Sequence, residues 1–287
     1  MPVKNQHALF VNSLMSKIND MVALALDEDI GTGDVSASLL DDKIVSAQII
    51  AREPAVICGI EYAQIAFLSL DKNIQLKWHL SDGDSIQRNQ VLCTLSGATN
   101  GIISAERVAL NFLQMLSSVA TQTKTLVGKI AHTNAHLLDT RKTIPGLRLA
   151  QKQAVECGGG MNHRMGLYDC VMLKENHIIA SGSIKNAVQL AKEQYPNLPL
   201  IVEVENLTQL SETLTLVGIT RVLCDNFSIA DLIQAVELTN NEFPLEASGN
   251  IDKDTIVAVA ETGVDYISTG SMTKNIQAID LSLRFLN

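Results

Sequence analysis

The sequence lacks the features of several broad classes of protein. It has no surplus of positive charge, since 22 Lys+Arg against 31 Asp+Glu give a net charge of −9, and a general nucleic-acid-binding surface is therefore not expected. No apolar run approaches the roughly 18 residues of a membrane span, and residues 1–10 carry charges and Pro2 where a signal peptide has its apolar core. We therefore expect a cytoplasmic protein.

Cysteines are few and scattered. The five of them, at positions 58, 93, 157, 170 and 224, show no CxxC or other paired spacing. They are predicted to be small buried residues in a reducing compartment, neither disulfides nor zinc ligands. Hydrophobic residues make up 46% and charged residues 18% of the chain, without internal repeats or low-complexity linkers. This composition excludes a disordered chain, a collagen-like repeat and a disulfide scaffold.

The character of the sequence changes near residue 104. The first hundred residues predict an α+β layer: a helix over 14–26, an acidic glycine loop over 27–34, and strands within 46–57, 74–80 and 90–95. Ser104 is predicted to cap a long amphipathic helix. Arg107 then falls in the first turn, where the helix dipole opposes a cation. Such a placement suggests function, although a solvated arginine balanced by Glu106 explains it equally well.

Short apolar runs alternate with helical segments from residue 136 onward, which predicts parallel βα units. The runs are 136–139, 170–173, 198–204, 221–224, 245–247 and 264–268. Each run ends in polar, charged or glycine residues. In a (β/α) barrel the active site lies at the carboxyl ends of the strands. About 165 residues are too few for eight full units, so we predict an incomplete (β/α) TIM-like barrel over 113–275. Residues 1–112, joined by 276–287, are predicted to form an N-terminal α/β, sandwich-like domain.

Basic residues concentrate in one stretch of this acidic chain. They are Arg141, Lys142, Arg148, Lys152, His163, Arg164, Lys174 and His177. Arginine and lysine suit carboxylates and phosphates, so the members at strand ends predict an anion site. Arg148 and Lys152, at i, i+4 spacing, fit a solvated helix face as well. Residues 158–160 (GGG) are interpreted as a helix stop rather than a phosphate cradle.

Acids face the same basic strand ends. Glu203 and Asp225 favour a Mg²⁺–polyphosphate or a developing ribosyl cation over the carboxylate pair of a glycosidase. Glu203 and Glu205 fall on the same face of their strand, so the pattern alone does not separate their roles. This chemistry needs neither a covalent nucleophile nor an organic cofactor.

Together these segments resemble the quinolinate phosphoribosyltransferase family (carboxylating nicotinate-nucleotide pyrophosphorylases). The matching stretches are DEDIGTGD (27–34), SAERVALNFLQMLSSVAT (104–121), LLDTRKTIPGLR (137–148), GGGMNHRMGLYDCVMLKENH (158–177), VEVENL (202–207), DNF (225–227), LEASG (245–249) and ETGVDYISTG (261–270). They follow in order over nearly the whole chain. The DTRKT-PG-R motif followed by GGG-NHR-GL-D is highly specific.

The resemblance implies transfer of phosphoribose from phosphoribosyl pyrophosphate to quinolinate with loss of CO₂, in the presence of Mg²⁺. It implies a homodimer or higher oligomer whose active sites are shared between subunits. It implies catalytic roles for Lys142, Lys174, Glu203 and Asp225, the last two also near the metal. The implied quinolinate-binding residues are Arg107 of the neighbouring subunit, Arg141, His163, Arg164 and Lys174. Further implied substrate contacts are Thr140, Lys142, Glu203, Asp225, Ser248, Gly249, Asn250, Thr269, Gly270 and Ser271.

Three positions depart from the family pattern. Asn250 stands where a glycine is usual, Lys274 where a histidine is common, and Ser118 in place of a common glycine. The first two lie at the implied phosphate region. Two other functions stay open: a phosphoribosyltransferase for nicotinate or another aromatic acid that does not decarboxylate it, and a non-catalytic anion-binding regulator.

Overall fold

The computed structural model describes residues 3–240 and 242–286. In chain order the elements are α1 (Val3–Ile30), β1 (Ile44–Ala51), β2 (Ala55–Val56), α2 (Ile60–Leu70), β3 (Gln75–Trp78), β4 (Ser85–Ile86), β5 (Val91–Ala98), α3 (Thr99–Ile130), β6 (His136–Leu138), α4 (Arg148–Cys157), β7 (Val171–Leu173), α5 (Glu175–Ser181), α6 (Ile184–Gln194), β8 (Leu200–Val204), α7 (Leu207–Leu214), β9 (Arg221–Asp225), α8 (Ile229–Thr239), β10 (Leu245–Ser248), α9 (Ile256–Ala260), β11 (Tyr266–Ser268), α10 (Ser271–Lys274) and β12 (Leu281–Phe285). None of the helices in this part of the chain is long and apolar enough to cross a membrane.

The chain divides into two compact units. The first contains residues up to 121, together with 145–158 and 276–287; the second contains 122–144 and 159–275. The boundary predicted after residue 112 differs from this division, which keeps 113–121 and 145–158 with the first unit.

The first unit is built on an antiparallel sheet in the order β12-β1-β5-β3. Residues Ala47, Ile49 and Ala51 of β1 are fully buried, and they alternate with less buried neighbours, as expected of a strand with one face on the core. A two-stranded ladder, β2 with β4, stands apart from this sheet. The turn at 82–84 leads into β4.

Two expectations for the first unit are wrong in detail. Helix α1 continues to Ile30, into the predicted acidic loop. Helix α3 begins at Thr99, so Ser104 is not its N-cap; the Ser104 hydroxyl donates instead to Asp34 Oδ2 at 2.8 Å. Arg107 consequently lies in the third turn of α3, beyond the reach of the helix dipole's first-turn penalty, and that reason to suspect it disappears.

The second unit contains the predicted parallel sheet. Its strand order is β6-β11-β10-β9-β8-β7. Each predicted apolar run overlaps one strand. Strands β7 to β11 are neighbours in chain order, and β6 lies beside β11. Among the described strands, β6 and β7 stand at the two ends of this order and are not paired with each other. Met161 forms a parallel bridge with Leu138 of β6 at that gap. The predicted incomplete α/β barrel is confirmed.

Three helices of the second unit begin at residues with polar N-cap side chains. The side chains of Ser183, Asn206 and Ser228 accept hydrogen bonds from backbone N–H groups three residues later, at the starts of α6, α7 and α8. Helix α9 is shorter than the predicted segment 251–262, because the Asp252 carboxylate accepts from the backbone N–H of Asp254 and holds a turn there.

Helix α4, in the first unit, ends at Cys157. The left-handed residue that follows is Gly159, with φ +87°, so residues 158–160 form the predicted helix stop, and the chain reverses at the second glycine. Lys152 on α4 is fully buried, so the solvated basic face considered for it is wrong.

Candidate active site

The carboxyl ends of the barrel strands surround a cavity of about 260 Å³. Its lining residues are Thr140, Arg141, Lys142, His163, Arg164, Met172, Lys174, Glu203, Leu223, Asp225, Glu246, Ser248 and Ser268. All of them belong to the second unit. A cavity at this end of a barrel is where active sites of the fold are found.

Strand register explains which side chains reach the cavity. Glu203 pairs with Leu223, and Leu223 pairs with Glu246 on the next strand; one layer higher, Asp225 pairs with Ser248. Side chains in register on neighbouring strands share a face of the sheet, and residues two apart share it too. The two layers therefore point their polar groups into the same space.

Nine of the predicted site residues line this cavity: Thr140, Arg141, Lys142, His163, Arg164, Lys174, Glu203, Asp225 and Ser248. The other predicted residues of the second unit follow the ends of β10 and β11 and are not among the lining residues; they are Gly249, Asn250, Thr269, Gly270 and Ser271. Arg107 belongs to the first unit and is exposed on α3.

The structure separates the roles of Glu203, on β8, and Glu205, just after it. Glu203 lines the cavity and forms an ion pair with the Lys174 ammonium. Glu205 lies beyond the end of the strand and is exposed, and its backbone N–H donates to Gln209 Oε1. Glu203 is therefore the acid that can act in the cavity, and it is held beside a cation at the end of the neighbouring strand.

Asp225 is positioned by a cluster of left-handed residues. Its carboxylate accepts a hydrogen bond from Asn226 Nδ2 at 2.8 Å. Gly249 has φ +103°, and a Cβ there would lie 2.2 Å from Asn226 Oδ1, so no other residue fits this position. Asn250, with φ +51°, donates to the same Asn226 oxygen at 3.3 Å. Asparagine tolerates this conformation, which explains how it replaces the usual glycine.

Gly270, which follows β11, packs closely against Thr140 and Lys142, which follow β6. A Cβ on Gly270 would lie 3.0 Å from the Lys142 Cβ and 3.2 Å from Thr140 Oγ1. The Thr273 hydroxyl donates to the Lys142 carbonyl at 2.8 Å, and the Thr269 hydroxyl accepts from the Ser271 N–H at 3.1 Å. Lys142 is thus fixed at the backbone, and its exposed side chain stands beside a glycine loop. Lys274, at the end of α10, is exposed.

Hydrogen bonds from their backbone N–H groups fix the positions of His163 and Arg164. The buried Asp139, which follows β6, accepts from the His163 N–H at 2.8 Å, and His163 Nδ1 accepts from the Arg164 N–H at 2.7 Å. The Arg164 guanidinium donates to the Cys170 carbonyl at 3.3 Å. These contacts place two of the predicted quinolinate-binding residues at one wall of the cavity.

A buried charged group in the cavity lining was missed by sequence reasoning. Glu246 is fully buried on β10, with its carboxylate 2.8 Å from Arg221 Nε and 3.4 Å from His163 Nε2. The Arg221 guanidinium also lies 4.5 Å from the centre of the Tyr266 ring, a cation–π contact. The sequence offered one signal for this group, an acid inside the apolar run 245–247. Glu246 lies two residues before Ser248 on the same strand, so the two side chains share a face, which is the barrel interior.

The electrostatics of Glu246 are dominated by its neighbours. Burial by itself raises the pKa of a carboxyl group. Here the His163 hydrogen bond and the charges of His163 and Arg221 outweigh burial, so the pKa of Glu246 is below its usual value. Glu246 is therefore ionised, and it holds His163, which lines the cavity, and Arg221 in place.

We expect Glu246→Gln to lower the free energy of unfolding by about 3–5 kcal/mol at neutral pH, because it leaves Arg221 as a buried cation without its partner. Since the folded-state pKa is lowered, the stabilisation is complete above the unfolded-state pKa of about 4.3 and is lost as the pH falls through the folded-state pKa. Urea denaturation in a pH series from neutral to well below pH ~4 measures this. Glu242→Gln, at an exposed position, is the control and should change stability by less than ~0.5 kcal/mol. Equal effects of the two variants would contradict the assignment.

Comparison with known proteins assigns the chain to one family. Residues 31–117 match the model of the quinolinate phosphoribosyl transferase N-terminal domain, and residues 119–284 match that of its C-terminal domain. A solved nicotinate-nucleotide pyrophosphorylase from Francisella tularensis superposes with a TM-score of 0.93 at 47% identity, covering 95% of this chain and 97% of that one.

Curated relatives agree in name. The chloroplastic carboxylating nicotinate-nucleotide pyrophosphorylase of Oryza sativa is 41% identical over 286 residues, which cover 92% of this chain and 76% of the rice protein. A probable carboxylating nicotinate-nucleotide pyrophosphorylase of Bacillus subtilis is 38% identical over 258 residues, 89% of each chain. The chain belongs to the quinolinate phosphoribosyl transferase family.

Proposed function

We propose that this chain transfers the phosphoribosyl group of phosphoribosyl pyrophosphate to quinolinate and decarboxylates the product, giving nicotinate mononucleotide, CO₂ and pyrophosphate. It is a carboxylating nicotinate-nucleotide diphosphorylase of NAD biosynthesis. One observation carries this conclusion: a single cavity brings Arg141, Lys142, Arg164 and Lys174 together with the carboxylates of Glu203 and Asp225. The cations suit two anionic substrates, and the acids suit a cationic transition state.

The cations account for recognition of the ring substrate. Quinolinate carries two carboxylates on adjacent ring carbons, and arginine binds a carboxylate through two parallel hydrogen bonds. Arg164 is fixed by its contact to the Cys170 carbonyl, and Arg141 lines the same cavity from the end of β6. Lys174 adds a compact charge. Met172 and Leu223 supply apolar contact area in the same cavity, which fits an aromatic ring.

The acids account for the transfer step. As the bond between the ribose C1 and pyrophosphate breaks, positive charge develops on the ribose, and the ring nitrogen of quinolinate attacks that carbon. Glu203 and Asp225, on adjacent strands of one face, present fixed negative charge to that cation, and such pre-organised charge lowers the barrier. The ring nitrogen then carries the positive charge, which stabilises the carbanion left on the adjacent ring carbon when its carboxylate leaves as CO₂. A proton from solvent then takes the place of the carboxylate.

The loops after β10 and β11 suit the phosphates of the second substrate. Lys142 stands beside Gly270, and Gly249 adopts a left-handed conformation against the Asn226 side chain. Backbone N–H groups in such loops bind phosphate oxygens. Thr269, Ser271 and Asn250 add polar groups to the same two loops. We assign them to contacts with the phosphoribosyl substrate.

The carboxylate pair also fits Mg²⁺. This ion is typically bound by one or two carboxylates together with substrate phosphates, and Glu203 and Asp225 provide two carboxylates next to the proposed phosphate side of the cavity. These two residues would hold it with the pyrophosphate group. The ion would neutralise charge on the leaving pyrophosphate.

The site is proposed to be completed by a second subunit. Arg107 is exposed on α3 of the first unit, and we assign it to the quinolinate site of the neighbouring subunit in a homodimer. This assignment follows the family pattern at SAERVALNF, and its test is given in the Discussion.

The function is tested by following both products. Purified protein with quinolinate, phosphoribosyl pyrophosphate and Mg²⁺ should release CO₂ and pyrophosphate in equal amounts. Nicotinate in place of quinolinate should give neither product at a comparable rate. Pyrophosphate release without CO₂, or turnover of nicotinate alone, would identify a transferase that does not decarboxylate. No product with either acid would favour an anion-binding protein without catalysis.

We expect Arg141→Ala and Arg164→Ala each to weaken quinolinate binding by about 2–5 kcal/mol, because each removes the charged partner of a carboxylate. Calorimetric titration with quinolinate measures the affinity, and circular dichroism verifies the fold. Arg284→Ala, at an exposed position of β12 in the first unit, is the matched control and should bind normally. Unchanged affinity in both cavity variants would show that the carboxylates bind elsewhere.

A further inference from the structure

Two cysteines and an aspartate of the first unit converge at one point. Cys58 Sγ lies 3.5 Å from Cys157 Sγ. One carboxylate oxygen of Asp82 joins them, and the three atoms all lie within 4.8 Å of one another. The sequence predicts no zinc ligands because the two cysteines are 99 residues apart, and only the folded first unit shows the group.

Backbone pairing fixes two of these side chains. Cys58 follows β2 and Asp82 precedes β4, and these two strands are paired. The ladder continues past its ends: the Ile57 N–H donates to the Asp84 carbonyl at 3.0 Å, and the Gly83 N–H donates to the Ile57 carbonyl at 2.9 Å. The chain segments that carry Cys58 and Asp82 are therefore locked side by side.

Helices position the rest of the group. Asp82 Oδ1 accepts from the Ile60 N–H at the start of α2, at 3.1 Å. The Tyr62 hydroxyl on α2 lies 2.6 Å from Gln153 Oε1 on α4, the helix that ends at Cys157. A Cβ on Gly83 would lie 3.5 Å from the Cys157 carbonyl. The three donor atoms thus belong to segments held together by the core of one unit.

The charges around the group favour a cation. The exposed Asp82 lies beside both thiols, and the exposed Glu156 directly precedes Cys157 in the chain. The ionised forms of these acids and thiols carry like charges and repel one another. Binding of a divalent cation would convert this repulsion into attraction.

We propose that Cys58, Asp82 and Cys157 bind one zinc-type divalent cation through two thiolates and a carboxylate. With Zn–S bonds of ~2.3 Å, two sulfurs of a tetrahedral site lie about 3.8 Å apart, close to the observed 3.5 Å. Binding releases the two thiol protons to solvent. Three protein ligands leave the fourth position for water, and the partial exposure of Cys157 gives the ion a route in.

Metal titration of the full chain tests this site. The protein is stripped with a chelator, kept reduced with a phosphine, and titrated with Zn²⁺ and separately with Co²⁺, in excess Mg²⁺ to occupy carboxylate-only sites. We expect one equivalent of Zn²⁺ to bind tightly, and Co²⁺ to give thiolate-to-metal charge-transfer absorption. Cys157→Ser and Cys58→Ser should lose that absorption and bind Zn²⁺ at least ~100-fold more weakly, since loss of residues that merely orient ligands costs up to ~100-fold.

The matched control is Cys93→Ser, a buried cysteine of β5 in the same unit, which should keep both the absorption and the affinity. Asp82→Asn should keep the charge-transfer absorption but weaken binding, because only the oxygen ligand is lost. The proposal is overturned if reduced wild-type protein shows no charge-transfer absorption, or if Cys157→Ser binds Zn²⁺ as the wild type does. It is overturned too if the reduced protein binds no metal and mass spectrometry shows only a disulfide after oxidation. None of these readouts depends on phosphoribosyl transfer.

Discussion

Refolding an equimolar mixture of Arg107→Ala and Lys174→Ala chains should restore about a quarter of the wild-type activity, although each variant alone is inactive. Half of the resulting two-fold dimers are mixed. If Arg107 serves the neighbouring subunit, each mixed dimer has one site with both defects and one site with none. The restored fraction follows from counting intact sites, given that each variant alone is inactive.

The measurement is product release after joint unfolding and refolding, with the proportion of mixed dimers determined by native mass spectrometry. Each variant refolded alone is the control. Mixed dimers that form in the expected proportion but stay inactive would show that Arg107 serves its own subunit. A mixture that contains only monomers would contradict the shared site itself.

Glu203→Gln and Asp225→Asn should lower turnover by about 100- to 1,000-fold, the loss typical of removing one charge-stabilising group from a transition state. Each replacement keeps the shape of the side chain and removes its charge. The charge matters most when the ribose becomes cationic, so quinolinate affinity should change far less than turnover.

Steady-state kinetics at saturating Mg²⁺, with quinolinate affinity from calorimetry, separate the two effects. Glu205→Gln is the matched control, since Glu205 lies just beyond the same strand but is exposed and outside the cavity. It should retain wild-type turnover. If Asp225→Asn or Glu203→Gln retains it as well, that residue has a structural role only.

Much of the barrel could be predicted from the sequence because its pattern is local. Each apolar run of the second unit overlaps one strand, and nine of the predicted site residues line one cavity, since the carboxyl ends of parallel strands meet at one edge. The loop residues were found through family motifs. Glu246 and Arg221 were missed, because a charge inside an apolar run has no visible partner until strand register brings the two together.

The start of α3 could not be predicted from local capping rules. Ser104 has the right side chain for an N-cap, but its hydroxyl bonds to Asp34, 70 residues earlier. The Cys58–Cys157 contact was hidden for the same reason, since it joins residues 99 apart. Interactions between residues so far apart in the chain depend on the packing of whole helices and strands, and sequence periodicity does not reveal them.

The pairing of β12 with β1 determines when, during synthesis, the sheet of the first unit can be completed. In the sheet order β12-β1-β5-β3, strand β1 is an interior strand only when β12 is present. Along the chain, all six barrel strands precede β12, so during synthesis the ribosome delivers every residue of the second unit before the first unit receives its edge strand. Domains generally fold from the N-terminus as they emerge, but here the N-terminal unit is completed last. Until then β1 exposes an unpaired edge to the surrounding cell, and such an edge is open to pairing with other nascent chains.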